Sequence, residues 1–114
     1  MQRFIQTLDL IDDRRLIDSY VEVHSRVWPE IIRGIRQVGI TDMDIYILGN
    51  RLVMVLQMPD DIDFDEAMTR LATLPRQAEW EEYVGEFQKC LPGATSAGKW
   101  QRMTQIFSLA KAEG

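Results

Sequence analysis

Residues 20–39, YVEVHSRVWPEIIRGIRQVG, decide how the chain reads. They hold its sole histidine, His24, and one of its three tryptophans, Trp28, with Pro29 directly after it. Just upstream, Leu16, Tyr20, Val23 and Val27 recur at the spacing of one helix face, so residues 12–27 are expected to be helical. His24 follows Tyr20 by four residues, which places the two rings on adjacent turns. Pro29 lacks an amide hydrogen and drives Trp28 out of the helical region. A break is expected at Trp28, with Pro29 opening a second helical stretch. Ile31, Ile32, Ile35 and Val38 give that stretch an apolar face. Gly39 then ends it as the residue past the C-cap.

Outward from this stretch the chain is short and acidic. Its 114 residues fit one domain, 1–114, and a hydrophobic fraction of 46% suffices for a single core. A net charge of -5 and a pI of about 4.8 speak against nucleic-acid binding, which calls for a basic face. No apolar run approaches a membrane span, and the first ten residues, MQRFIQTLDL, lack the apolar region of a signal peptide. Cys90 is alone, so no internal disulfide forms. Together these features lead us to expect a cytoplasmic protein without membrane association. Cys90 reads as a helix-end residue rather than a nucleophile, because the one histidine lies in another element.

Taken in order, residues 3–10 read as a strand, and Asp12 or Asp13 caps the following helix. Residues 41–48 and 52–58 are strands joined by a tight turn at Gly49-Asn50. The second of them, LVMVLQM, is apolar on both faces and therefore central in the sheet. The acidic run Asp60-Asp61-Ile62-Asp63 lacks the glycine and ligand spacing of a calcium loop. It suits a helix start, where carboxylates are stabilised. A helix over 64–74 is broken by Pro75. Another over 76–90 carries Trp80, Tyr83, Val84 and Phe87 on one stripe, and Leu91-Pro92-Gly93 stops it. A loop over 94–98, a last strand over 99–109 and a frayed tail over 110–114 complete the chain. The order is the α+β, ferredoxin-like plan: an antiparallel sheet with helices on one face. The other face needs cover, and dimerisation through the sheets is the simplest.

A lone imidazole suits proton transfer near neutral pH, although it also serves as a hydrogen-bonded structural residue. The local pattern favours chemistry. Tyr20, His24, Trp28, Pro29 and Glu30 form Y-x-x-x-H-x-x-x-W-P-E, which resembles the L-rhamnose mutarotase family. The likeness continues through Gly39, D-I-Y-I-L at 44–48, L-V-M-V-L at 52–56, the Trp80 helix and I-F-S-L at 106–109. Some members of this family act on L-fucose.

The resemblance implies a dimeric α/β barrel, hence a homodimer, and a monosaccharide substrate. It implies an isomerase that interconverts the α and β anomers of a 6-deoxy-L-sugar by acid/base ring opening. His24 would deliver a proton to the ring oxygen and Tyr20 would hold a sugar hydroxyl. Trp80 would line the pocket, with Trp28 and Met43 as further substrate contacts; both tryptophans suit plain packing equally well. Asp44 or Glu30 is the complementary base or hydroxyl acceptor. Met43 stands where the family's rhamnose enzymes carry a tyrosine, and Glu79 stands in the place of the partner of Trp80. Changed polar partners discriminate sugar hydroxyls strongly, which favours L-fucose over L-rhamnose. With no metal cluster, phosphate loop or Ser/His/Asp spacing, no cofactor or metal is expected. Two other readings remain. One is a dimeric α/β-barrel monooxygenase or haem-binding protein with His24 as axial ligand. The other is a non-catalytic sugar-binding protein.

Overall fold

The computed structural model of the chain describes residues 1–90 and 96–114. Strands β1 (Gln2–Asp9), β2 (Asp42–Leu48), β3 (Arg51–Met58) and a short β4 (Gln101–Arg102) form one antiparallel sheet in the order β2-β3-β1-β4. As its apolar run predicts, β3 lies in the interior of the sheet. Its Leu52, Met54, Leu56 and Met58 are buried beneath the helices. Register carries this face outward, because directly paired residues point the same way. Leu8 pairs with Leu52, Phe4 and Met43 with Leu56, and Ile45 with Met54. At the hairpin only Gly49 takes a positive φ, 61°. Asn50 instead fastens the turn to β1: its Nδ2 donates to Leu10 O at 3.0 Å, and Leu10 N donates to Asn50 O at 2.7 Å.

Helix α1 (Arg14–Val23) is capped by the Asp13 carboxylate, which accepts from Arg15 N and Leu16 N at 2.9 and 3.3 Å. It ends earlier than residue 27, passing through one 3-10 turn (His24–Arg26) into extended backbone at Val27 and Trp28. Helix α2 (Pro29–Gln37) then starts with the proline at its first position, as the sequence implies. The buried stripe of α1 is centred on Ile17 and Tyr20, with Leu16, Val23 and Val27 half-buried at its margins. In α2, Ile31 and Gly34 are buried, as is Val38 at its C-cap, while Ile32 is exposed.

Helix α3 (Phe64–Leu71) begins in the acidic run, with Asp63 accepting from Glu66 N at 2.9 Å. Helix α4 (Gln77–Gly85) is shorter than the expected 76–90. Past Gly85 the amides reach back only three residues, Phe87 N to Val84 O and Gln88 N to Gly85 O. The end of β1 claims the remaining groups: Lys89 N donates to Asp9 O and Ile11 N to Phe87 O, both at 2.9 Å. The expected stop at Leu91-Pro92-Gly93 lies outside the described residues.

The C-terminal part departs most from expectation. Lys99 belongs to a short helix α5 (Ser96–Lys99), and only two residues of the expected 99–109 strand pair as β4. Met103 N adds one more bond, to Ile5 O at 2.7 Å. Beyond it the chain leaves β1, and the expected tail closes as a turn of helix α6 (Leu109–Ala112). Ile106, Phe107 and Leu109 are 95%, 68% and 64% exposed. Among the described residues, nothing lies outside β4 to bury them.

The strand order and helix placement are those of a ferredoxin-like α+β fold. Its core lies between the sheet and the helices, around Leu10, Ile31, Ile40, Leu52, Leu56 and Met58. Each of these side chains contributes about 1.5–3 kcal/mol by burial. Gly39 sits just past α2 at φ 98°, and a Cβ built there would lie 2.2 Å from Ile62 Cδ1. The left-handed region costs a residue with a Cβ about 1–2 kcal/mol. Gly39→Ala is therefore expected to lower the melting temperature by about 5 °C or more. An unchanged melt followed by circular dichroism would show that this turn does not constrain α2.

Candidate active site

Between α1, α2, α4 and the sheet lies a cavity of about 430 Å³. That size falls within the range of small-molecule pockets, roughly 300–1,000 Å³. Of the residues singled out from the sequence, Tyr20, His24, Met43, Asp44 and Trp80 line it. His24 caps α1, and its backbone N–H donates to the Tyr20 carbonyl as the helix closes. The same carbonyl lies 2.9 Å from His24 Nδ1. A carbonyl only accepts, so Nδ1 carries the proton and Nε2 of the neutral ring presents a lone pair. Burial holds the imidazole pKa below its usual 6.5, an effect partly offset by that same hydrogen bond. At neutral pH the ring is a base.

Tyr20 is buried and packs against His24 with ring centroids 4.3 Å apart. Burial, reinforced by the nearby Glu81 and opposed by a hydrogen bond from Gln88, pushes its phenol up to about 12. It therefore stays protonated. Gln88 Nε2 donates to its oxygen at 3.3 Å, leaving the O–H to donate elsewhere. Trp80 meets His24 edge-on, centroids 5.6 Å apart.

Trp28 lies behind this wall. It packs edge-on to Trp80 at 5.1 Å, stacks on Tyr83 at 5.8 Å and carries the Arg76 guanidinium 4.2 Å above its ring. Arg76 is the only non-glycine residue with positive φ among those described, at 65°. From that turn it also reaches Glu30 at 3.1 Å and Glu79 at 3.4 Å. Glu30 is thus committed to Arg76 and Arg33, and Glu79 points outward with its side chain 65% exposed. Asp44 borders the cavity from edge strand β2, but its pairing with Val55 puts its side chain on the opposite face from Met43.

The structure also brings in residues that the sequence reading missed. The inner face of α4 runs through Gln77, Trp80, Glu81 and Val84, with Gln88 continuing it past the helix end. The signal was the 4-3-4 spacing of 77, 81, 84 and 88, which the aromatic stripe through Tyr83 and Phe87 obscured; Tyr83 is 37% exposed. Glu81 forms an ion pair with Lys99 at 2.6 Å, the lysine side chain only 1% exposed. Gln77 Nε2 donates to Glu81 Oε1 at 2.7 Å. Removing two charges from water costs several kcal/mol per ion, which their attraction and hydrogen bonds must offset. One apolar, aromatic side and one buried polar side give the cavity an amphipathic lining.

Comparisons with known proteins give the family. A family model described as L-rhamnose mutarotase matches residues 3–109. The L-fucose mutarotase of Xanthomonas campestris pv. campestris is 40% identical over 114 residues, spanning 98% of this chain and 91% of that one. The L-rhamnose mutarotase of Paraburkholderia phymatum is 25% identical over 88 residues, 75% of this chain and 78% of that one. Among solved structures, the L-rhamnose mutarotase of Formosa agariphila superposes with a TM-score of 0.73 at 17% identity. That likeness spans 96% of this chain and 99% of the other and concerns the fold. With its sequence matched to the family model almost end to end, the chain belongs to the L-rhamnose mutarotase family.

Proposed function

We propose that this carbohydrate isomerase interconverts the anomers of a 6-deoxy-L-sugar, with L-fucose preferred over L-rhamnose. One observation carries the reading: His24, its Nδ1 tied to a carbonyl, lines a cavity of monosaccharide size beside an indole and a phenol. The preference for L-fucose is supported by the 40% identity to an L-fucose mutarotase against 25% to an L-rhamnose mutarotase. Met43 in the lining, where the family's rhamnose enzymes have a tyrosine, supports it further.

Ring opening moves one proton away from the anomeric hydroxyl and one onto the ring oxygen. Both oxygens are bonded to the same carbon, so one nitrogen can serve both. His24 Nε2 takes the hydroxyl proton, becomes imidazolium, and delivers the proton to the ring oxygen as that C–O bond breaks. The open aldehyde turns about the bond to its neighbouring carbon, and closure on the other face reverses the two transfers. The proton count balances without a second titrating group. Tyr20, kept protonated, donates to a sugar oxygen. Trp80 covers the C–H side of the ring, and Trp28 with Arg76 stiffens Trp80 from behind.

A homodimer in the cytoplasm is the form in which we expect this site to work. The open sheet face carries Ile5, Val53 and Val55, with Tyr46 and Leu48 exposed beside them, and exposed Ile106 and Phe107 follow β4. Light scattering after size exclusion should give twice the 13.3 kDa chain mass, and Val53→Lys should shift it to the monomer value. A wild-type mass of one chain would remove the dimer.

Saturation-transfer NMR on L-fucose should show accelerated anomer exchange. His24→Ala should slow it by about 10²- to 10⁴-fold with the fold retained. Exchange at the wild-type rate in that variant would take His24 out of the mechanism.

The pH profile follows from the neutral imidazole. The activity should be lost as pH falls through a midpoint below 6.5, the ordinary value, because burial depresses the pKa of His24. The same protonation should lower stability as pH falls from 6.5 to that midpoint, the range in which the unfolded chain binds the proton and the folded chain does not. An acid limb centred above 6.5 would contradict this assignment.

A further inference from the structure

We propose that Gln77 reads one ring hydroxyl of the sugar through its Oε1, and that the buried Glu81–Lys99 ion pair locks it in that role. This rests on the mutarotase reading and supplies its specificity element. Glu81 Oε1, 2.7 Å from the Gln77 side chain, belongs to a carboxylate paired with Lys99 and can only accept. The Gln77 nitrogen must therefore face it, and the amide cannot turn over without placing oxygen against oxygen. Gln77 Oε1 is fixed as an acceptor. The residue is only 4% exposed and lines the cavity, yet among the described residues Oε1 has no hydrogen-bond partner.

A buried carbonyl oxygen without a donor is costly, and a hydroxyl donor entering the cavity relieves it. Lys99 holds Glu81 twice, through the ion pair and through an Nζ contact of 3.4 Å to the Glu81 carbonyl. A buried ion pair seldom stabilises a fold more than apolar residues of the same volume would. Here it does what an apolar pair could not: it orients an amide on the cavity wall. L-Fucose and L-rhamnose differ at C2 and C4 in the orientation of a hydroxyl. An acceptor fixed on a rigid helix meets that hydroxyl in one sugar and not in the other.

The test compares wild type with Gln77→Met, which keeps the length of the side chain and removes the acceptor. A thermal melt reports that the variant is folded. Tryptophan fluorescence measures Kd, and saturation-transfer NMR measures exchange, for L-fucose, 2-deoxy-L-fucose, 4-deoxy-L-fucose and L-rhamnose. In the wild type, one deoxy analogue should bind about 10- to 100-fold more weakly than L-fucose. In Gln77→Met that penalty should fall below about threefold, and the L-fucose to L-rhamnose ratio of kcat/KM should fall with it. The paired change Glu81→Gln with Lys99→Met, which removes both charges, should relax discrimination in the same direction.

Equal affinity of the wild type for all three fucose forms overturns the proposal without reference to any variant. So does a wild-type penalty that persists undiminished in folded Gln77→Met. Discrimination through Gln77 with no acceleration of anomer exchange would sustain the hydroxyl reader and sink the mutarotase reading. Accelerated exchange with discrimination indifferent to Gln77 would do the reverse.

Discussion

A single carbonyl, that of Tyr20, ties the fold of this chain to its chemistry. Helix α1 ends at Val23, and His24 caps it. The Tyr20 oxygen accepts from both the backbone N–H and the ring Nδ1 of His24. The ring is thereby fixed in direction and in tautomer. The cause lies downstream, where Pro29 cannot donate to a preceding turn and holds Trp28 extended. The bend also returns α2 across the sheet, so that Ile31 and Val38 close the core beneath the site.

The opposite wall of the cavity obeys a different balance of forces. A helix packed on a sheet normally buries an apolar stripe, and α4 does so at Trp80 and Val84. Between and beside them it buries Gln77 and Glu81. Such groups are tolerated when hydrogen-bonded and charge-compensated, and Lys99, arriving from α5, supplies the compensation. The Tyr20–His24 side of the cavity is therefore built from residues close in sequence, whereas the polar wall needs two distant segments to meet.

Gly39 and the predicted breaks were readable from the sequence because each follows from one residue's own chemistry. The missing amide of Pro29, the missing Cβ of Gly39 and the short carboxylate of Asp13 act over one or two neighbours. The strand run 52–58 was readable from its apolar residues, although β3 buries one face only: Leu52, Met54, Leu56 and Met58 lie under the helices, and Val53 and Val55 lie on the open side. From these the ferredoxin-like order followed. The last strand was misread for the same local reasons. Met103, Ile106 and Phe107 look like a buried strand, but pairing requires a neighbour, and β1 accepts bonds only as far as Met103.

The sequence alone determined that an imidazole follows a phenol by one helical turn, ahead of a Trp-Pro break, on a chain of one sheet and few helices. Local backbone constraints suffice for that. Only the tertiary structure decided which carboxylate faces the cavity. Glu79 and Glu81 are both polar neighbours of Trp80, and periodicity anchored on the wrong aromatic stripe cannot separate them. Glu79 turns toward Arg76 in solvent, and Glu81 toward Lys99 in the interior. That choice depends on the rotation of α4 against the sheet and on where residue 99 returns, both set by packing between segments far apart in the chain.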